Sequence, residues 1–140
     1  TINVPAIIGL GAGIDFVNKH GIGKLYLKEM QLSQYVYNSL AKNSNIELYT
    51  PKPLPWEYVP VIPFNFKGIE STKTAKLLDE YNIAVRAGYH CSPTAHSMIG
   101  TIKNGAVRLS FSAFNSIAEA ESFIRTLNDK NFLKKLQKIY

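Results

Sequence analysis

The chain has 140 residues, with 16 Lys and Arg against 10 Asp and Glu, a single Cys and 46% hydrophobic residues. This length suits one domain, and the charged fraction of 19% with 11% aromatic residues argues against a disordered chain. One cysteine excludes an intrachain disulfide framework and favours a reducing compartment, so we expect a cytoplasmic protein. No apolar run approaches the roughly 20 residues that a membrane helix needs, and we expect no membrane partner.

Two helices are predicted at the start of the chain. Residues 5–19 are apolar and contain three glycines, each of which costs a helix roughly 0.8–1.0 kcal/mol relative to Ala. We therefore expect another backbone or another chain to approach this helix closely. After a break at residues 20–23, residues 24–42 have amphipathic periodicity. The apolar face of this second helix carries Leu25, Leu32, Val36 and Leu40.

The remaining elements are short strands and helices. Strands are predicted at residues 46–50, 61–66, 83–86 and 106–110, with a helix at 70–81. Pro60 and Pro63 assign the first half of the second strand to a sheet edge, because proline cannot donate to a ladder. Ser116 and Glu119 form a capping-box pattern that starts another helix, and residues 130–140 form a basic amphipathic helix. This order predicts an α+β fold, a small and mostly antiparallel sheet with helices packed on it.

The candidate site lies in a stretch without acidic residues, from residue 81 to residue 118. Its basic and nucleophilic residues are Arg86, His90, Cys91, His96, Lys103 and Arg108. A positive neighbourhood favours the thiolate form of Cys91, which is the nucleophilic form. Arg86 and Arg108 could each bind a carboxylate through two parallel hydrogen bonds. The stretch therefore predicts a nucleophilic cysteine beside a carboxylate-binding site.

Simpler interpretations of the same residues stay open. Cys91 could be a small buried hydrophobe, and His90 or His96 could be a general base or a structural residue. Cys91, His90 and His96 together are only weak evidence for a metal site, and we expect no bound metal. The lysines of the tail are most simply a solvated helix face. Too few aromatic residues accompany them to indicate nucleic-acid binding.

The run Arg-Ala-Gly-Tyr-His-Cys-Ser-Pro at residues 86–93 resembles the active-site loop of the cysteine desulfurases and selenocysteine lyases of the class V aminotransferase fold. The stretch Gly-Ala-Val-Arg-Leu-Ser at 105–110, followed by Phe114 and Asn115, resembles the strand after that loop. Thr1-Ile2-Asn3 and residues 7–10 resemble the family's Gly-Thr-x-Asn segment and the helix after it. The resemblance covers nearly the whole chain in order.

The resemblance implies a reaction and a set of residue roles. A pyridoxal phosphate enzyme of this family converts L-cysteine or selenocysteine to alanine, and the sulfur of cysteine passes to an active-site cysteine as a persulfide. Cys91 would accept that sulfur, and Arg108 would bind the substrate carboxylate, with Arg86 and His90 also on the substrate side. Thr1 would reach the cofactor phosphate of the partner subunit in a homodimer. A sulfur-acceptor protein would then receive the sulfur.

The resemblance also implies a division of the enzyme. The family's Schiff-base lysine motif, ring aspartate and stacked histidine have no match in this chain. Residues 1–20 would then be a helix leading from a missing large cofactor-binding domain. Residues 21–140 would be the C-terminal small domain of a fold-type I pyridoxal phosphate enzyme, inactive by itself. Two other functions stay open: a stand-alone sulfur-carrier or regulatory module, and another lyase or aminotransferase of the same group.

Overall fold

Helices and one antiparallel sheet make up residues 1–139, the part of the chain that the computed structural model describes. In chain order the elements are α1 (Val4–His20), α2 (Ile22–Leu40), β1 (Ile46–Leu48), β2 (Val61–Phe66), α3 (Ser71–Asp79), β3 (Arg86–Gly88), α4 (Pro93–Met98), β4 (Ala106–Ser110), α5 (Ile117–Leu127) and α6 (Lys130–Lys138). The α+β class with an antiparallel sheet is confirmed. The predicted tail helix ended at Tyr140, which lies outside the described residues.

The sheet has the strand order β1-β2-β4-β3, and each neighbouring pair is antiparallel. Only the second half of β2, from Phe64 onward, pairs with β1, so the first half has a ladder on the β4 side alone. The carbonyl of Pro63 accepts a hydrogen bond from the N–H of Tyr49 at 3.1 Å, just past the end of β1. Both backbone groups of a residue face the same neighbour in an antiparallel pair. Proline has no N–H, and at Pro63 the missing donor would point to the β1 side, past the end of β1. The edge position predicted for the first half of β2 is therefore confirmed.

Two short elements differ from the sequence prediction. The strand predicted at 83–86 is wrong, because β3 begins only at Arg86. Asn82 has a φ of 59°, and the N–H of Ile83 donates to the carbonyl of Leu78 at 3.1 Å, so this segment closes the turn after α3. Helix α4 was not predicted at all. It has only six residues, too few to show a helical period.

One face of the sheet packs against the helices and forms the core. Leu32, Val36 and Leu40 of the predicted α2 face are buried, whereas Leu25 is only half-buried. The capping box of α5 is present: Ser116 accepts from the N–H of Glu119, and Glu119 accepts from the N–H of Ser116. Helices α5 and α6 complete this core with Ala120, Phe123, Leu127, Phe132 and Leu136. The tail helix is therefore a packed element with lysines on its outer face.

Helix α1 is attached at one end and otherwise exposed. It has no buried residue, and its ring of Phe16 packs on that of Phe114 at 5.2 Å. Apart from the helix's own backbone, no atom of residues 1–139 lies within 4 Å of a Cβ added at Gly9, Gly11 or Gly13. The close approach that these glycines predict is thus not made by the described residues. Exposed apolar side chains line this segment: Ile2, Val4, Ile7, Ile8, Leu10 and Ile14.

Candidate active site

Cys91 lies at the exposed tip of a loop that joins β3 to α4. His90 and Cys91 have φ values of 49° and 58°, so two consecutive residues with side chains occupy the left-handed region. This conformation costs an L-residue roughly 1–2 kcal/mol, and it persists only where the surrounding structure imposes it. The predicted loop position of Cys91 is confirmed, and the loop has a strained, defined conformation.

Hydrogen bonds fix the loop on both sides of Cys91. The Tyr89 hydroxyl donates to the carbonyl of Ile102 at 2.6 Å. The N–H of Ser92 donates to the carbonyl of Tyr89 at 2.8 Å, which closes a turn with Cys91 inside it. Below the turn, the ring nitrogen Nε2 of His90 lies 3.1 Å from the carbonyl oxygen of Ala106 at the start of β4. The Cys91 side chain is thus presented outward by a loop tied to the sheet.

The contacts of His90 define its protonation. A carbonyl oxygen only accepts, so Nε2 carries the proton and donates to Ala106. The other ring nitrogen, Nδ1, is buried and has no hydrogen-bond partner among the described residues. Burial lowers the pKa of His90 below its ordinary value, the bond to Ala106 opposes that change, and the charges of Arg108, His96 and Arg86 lower it further. The fold therefore favours the neutral form of His90, with its proton on Nε2, more than water favours the neutral form of a free imidazole.

Arg86 and Arg108 are cross-strand partners in the ladder between β3 and β4. Directly opposite residues of an antiparallel pair project from the same face. The core residue Val107 occupies the opposite face, so both arginines lie on the face away from the core. The ion pairs among residues 1–139 are Arg125 with Glu121 and Lys135 with Glu80. Neither Arg86 nor Arg108 is paired with an acid there, and an anion is the ligand that this face fits.

A close backbone contact sets the spacing of these two strands at the loop end. Gly105 has a φ of 62°, and a Cβ at this position would lie 2.8 Å from the Cα of Gly88. The hydroxyl of Ser71 accepts from the N–H of Gly88 at 3.2 Å and donates to the carbonyl of Asn104 at 2.7 Å. Any larger residue at position 105 would separate β3 from β4. The Arg86 and Arg108 side chains depend on that spacing.

The structure brings together four of the five residues proposed from the sequence. Arg86, His90, Cys91 and Arg108 belong to β3, β4 and the loop between them. Thr1 is exposed ahead of α1 and makes no side-chain hydrogen bond within the described part of the chain.

No three His, Cys, Asp or Glu side chains of residues 1–139 could hold a metal ion. No helix of those residues is long and apolar enough to cross a membrane.

The profile of the aminotransferase class-V family matches residues 1–123. The chain belongs to the aminotransferase class-V family. This class-V chain is 34% identical over 129 residues to a probable cysteine desulfurase of Pyrococcus abyssi, a match that covers 92% of this chain and 31% of that protein. It is 32% identical over 125 residues to a cysteine desulfurase of Wigglesworthia glossinidia brevipalpis, covering 89% and 29%.

The fold of this class-V chain also matches a solved structure. The apo structure of a cysteine desulfurase from Thermococcus onnurineus superposes with a TM-score of 0.82 at 32% identity, covering 91% of this chain and 31% of that one. The family resemblance is thereby confirmed, and so is the fold as part of a fold-type I pyridoxal phosphate enzyme. The chain spans about a third of the length of the relatives it matches.

Two features of the site were not found from the sequence. The left-handed conformation of His90 and Cys91 has no residue signature of its own, since glycine and asparagine are the usual indicators. The pairing of His96 with Thr101 beneath the loop depends on α4, which was missed. The sequence feature that comes nearest to indicating this loop is the series Gly88, Pro93 and Gly100, because glycine and proline mark turns.

Proposed function

We propose that this chain is the C-terminal part of a pyridoxal phosphate-dependent cysteine desulfurase. One observation carries the proposal: a strained loop holds an exposed cysteine directly after Arg86, and neither Arg86 nor Arg108 has an acidic partner among residues 1–139. Each arginine can bind a carboxylate, and an exposed thiol can reach both a small substrate and a second protein. Its relatives named as cysteine desulfurases support the same reaction.

The proposed sulfur transfer takes place at Cys91. Arg108 binds the carboxylate of L-cysteine, with Arg86 as the second cation on the same face. The thiolate of Cys91 attacks the substrate sulfur, forming an S–S bond. The bond between that sulfur and the substrate Cβ breaks, its electron pair stays with carbon, and Cβ takes a proton to become the methyl group of alanine. Cys91 is left as a persulfide.

His90 is the remaining residue on the substrate side. Its Nε2 is engaged with Ala106, so only Nδ1 is left to accept a hydrogen bond. A neutral imidazole adds no positive charge beside Arg86 and Arg108. We assign His90 to the base of the substrate site, where its hydrogen bond to Ala106 connects the loop to β4.

The residues of this chain fit the substrate side of a pyridoxal phosphate site. The face that carries Arg86 and Arg108 can bind an anion. Thr1 is exposed, and its hydroxyl can donate to the phosphate of a cofactor bound by the partner subunit. No lysine of the sequence lies in the family's Schiff-base motif, and Lys103, the lysine of the stretch without acidic residues, is exposed. The cofactor's lysine is therefore proposed to lie outside this chain. When bound, the cofactor supplies the electron sink for the pair left on Cβ.

The proposal includes the organisation of the whole enzyme. Residues 1–20, which include α1, lead from a large cofactor-binding domain, and residues 21–140 form the small domain. The exposed apolar side chains of α1 are expected to pack against that domain. The enzyme would be a cytoplasmic homodimer that passes its sulfur to an acceptor protein.

A stand-alone sulfur carrier is the second candidate, because Cys91 is exposed and needs no other group of this chain to hold a persulfide. Persulfide trapping separates the two. The protein is expressed at the length that its gene encodes, incubated with pyridoxal phosphate and L-cysteine, alkylated and mapped by mass spectrometry.

An added sulfur on Cys91, with alanine released and both lost in Cys91→Ala, is the expected result. Bound cofactor without an adduct on Cys91 would move the function to another lyase or aminotransferase. The absence of cofactor binding would favour the carrier.

A further inference from the structure

Beneath the Cys91 loop lies a buried pair of polar side chains without a role in the proposed reaction. His96 of α4 is 4% exposed and Thr101 is 3% exposed. The Nδ1 of His96 lies 2.6 Å from the Oγ1 of Thr101. Buried polar groups are costly unless they are paired, so the loss of either partner would leave the other unsatisfied.

The ring of His96 contacts the residues that lead into Cys91. It meets the ring of Tyr89 edge-on, with centroids 5.5 Å apart and an interplanar angle of 76°. It lies 5.9 Å from the ring of His90. Because His96 itself follows Cys91 by five positions, one buried ring supports the loop from both sides.

Thr101 connects this ring to the sheet. Its N–H donates to the carbonyl of His96 at 2.9 Å, and its carbonyl accepts from the N–H of Gly105 at 2.8 Å. Gly105 immediately precedes β4, the strand that carries Arg108. The pair of His96 and Thr101 thus connects the end of α4 to the strand of the substrate arginine.

We propose that His96 and Thr101 form a positioning pair that holds His90 and Cys91 in the left-handed conformation. Left-handed residues with side chains persist only where neighbouring groups impose them, and this pair is a buried polar contact under the loop. The pair fixes the position of the Cys91 sulfur relative to Arg108 when substrate binds. That consequence for catalysis rests on the proposed function.

The test compares three threonine variants of the protein at its full encoded length. Thr101→Val removes the hydroxyl and keeps the shape, whereas Thr101→Ser keeps the hydroxyl. Thr74→Val is the matched control, because Thr74 is fully buried in α3 and its hydroxyl has no partner among the described residues.

We expect Thr101→Val to lower kcat for alanine formation about tenfold or more, because a small displacement of a reacting group is costly. The KM for L-cysteine should stay within about twofold of the parent value, since the arginines that bind its carboxylate remain in place. Thr101→Ser should restore kcat to within about twofold, and Thr74→Val should leave it unchanged.

Amide hydrogen exchange gives a readout that needs neither substrate nor cofactor. Exchange over residues 89–101 should accelerate about tenfold in Thr101→Val and keep its parent rate in Thr101→Ser and Thr74→Val. If Thr101→Val does not fold, His96→Leu and His96→Asn replace the valine and serine variants, because Asn keeps a polar atom near the Nδ1 position.

The proposal is overturned if loss of the hydroxyl changes exchange over residues 89–101 no more than Thr74→Val does. It is also overturned if Thr101→Ser is as impaired as Thr101→Val. If the parent protein forms no alanine, the proposed function fails, and the exchange comparison still decides the role of the pair.

Discussion

Arg86 and Arg108 lie directly opposite each other on β3 and β4, with no acid of residues 1–139 paired to either. Like charges in this arrangement destabilise a sheet by up to about 1 kcal/mol. An anion bound to both guanidinium groups would offset this repulsion. The arginine pair therefore stabilises the protein only when an anion is bound. The relationship therefore connects fold stability with substrate binding.

The first prediction concerns Arg108, the proposed carboxylate ligand. Arg108→Gln should lower kcat/KM for L-cysteine by roughly 10- to 100-fold, because a charge-assisted hydrogen bond contributes about 1.5–3 kcal/mol. Steady-state alanine formation measures this effect. Arg125→Gln is the matched control, since this guanidinium lies on α5 with Glu121 as its only ion-pair partner in the described chain. Equal activities for the two variants would exclude Arg108 from the site.

The second prediction concerns the stability of the unliganded sheet. Arg86→Gln should raise the free energy of unfolding by about 0.2–1 kcal/mol, because it removes one of two opposed charges. Urea titration at low ionic strength measures the gain, and added salt should reduce it by screening. A loss of stability at low salt would mean that Arg86 is paired by a group other than an acid of this chain.

Parts of the fold were predictable because they depend on local patterns. The limits of β2 and β4 and the capping box at Ser116 were all predicted from the sequence, and all three are present. The strand expected at 83–86 failed because apolar residues after a helix can close its last turn as well as start a strand. The site residues followed from a motif, whereas their geometry depends on tertiary contacts that no local pattern encodes.

The third prediction concerns the backbone of Cys91, whose φ is 58°. Cys91→Gly should unfold with a free energy about 1 kcal/mol larger than that of Cys91→Ala, because glycine adopts the left-handed region without a steric penalty. Ala75→Gly in α3 provides the opposite control, with an expected loss of about 1 kcal/mol for the same change in a helix. Urea titrations of the variants and the parent give both differences. A less stable Cys91→Gly would show that the loop is free to leave this conformation.

The fourth prediction is a pH dependence of stability from His90. Its pKa is lower in the folded chain than the ordinary value of 6.5, so unfolding takes up a proton as the pH falls. The free energy of unfolding should therefore decline as the pH falls below about 6.5 towards the lower folded-state pKa.

His90→Gln removes this titration and keeps a donor for the carbonyl of Ala106. At pH 8 the variant and the parent should agree to within about 0.5 kcal/mol, because His90 is neutral in both states there. Below pH 6.5 the variant should become the more stable of the two, as measured by urea titration at each pH. Parallel pH profiles would instead mean that His90 titrates alike in the folded and unfolded chain, and that burial under the Cys91 loop leaves its proton affinity unchanged.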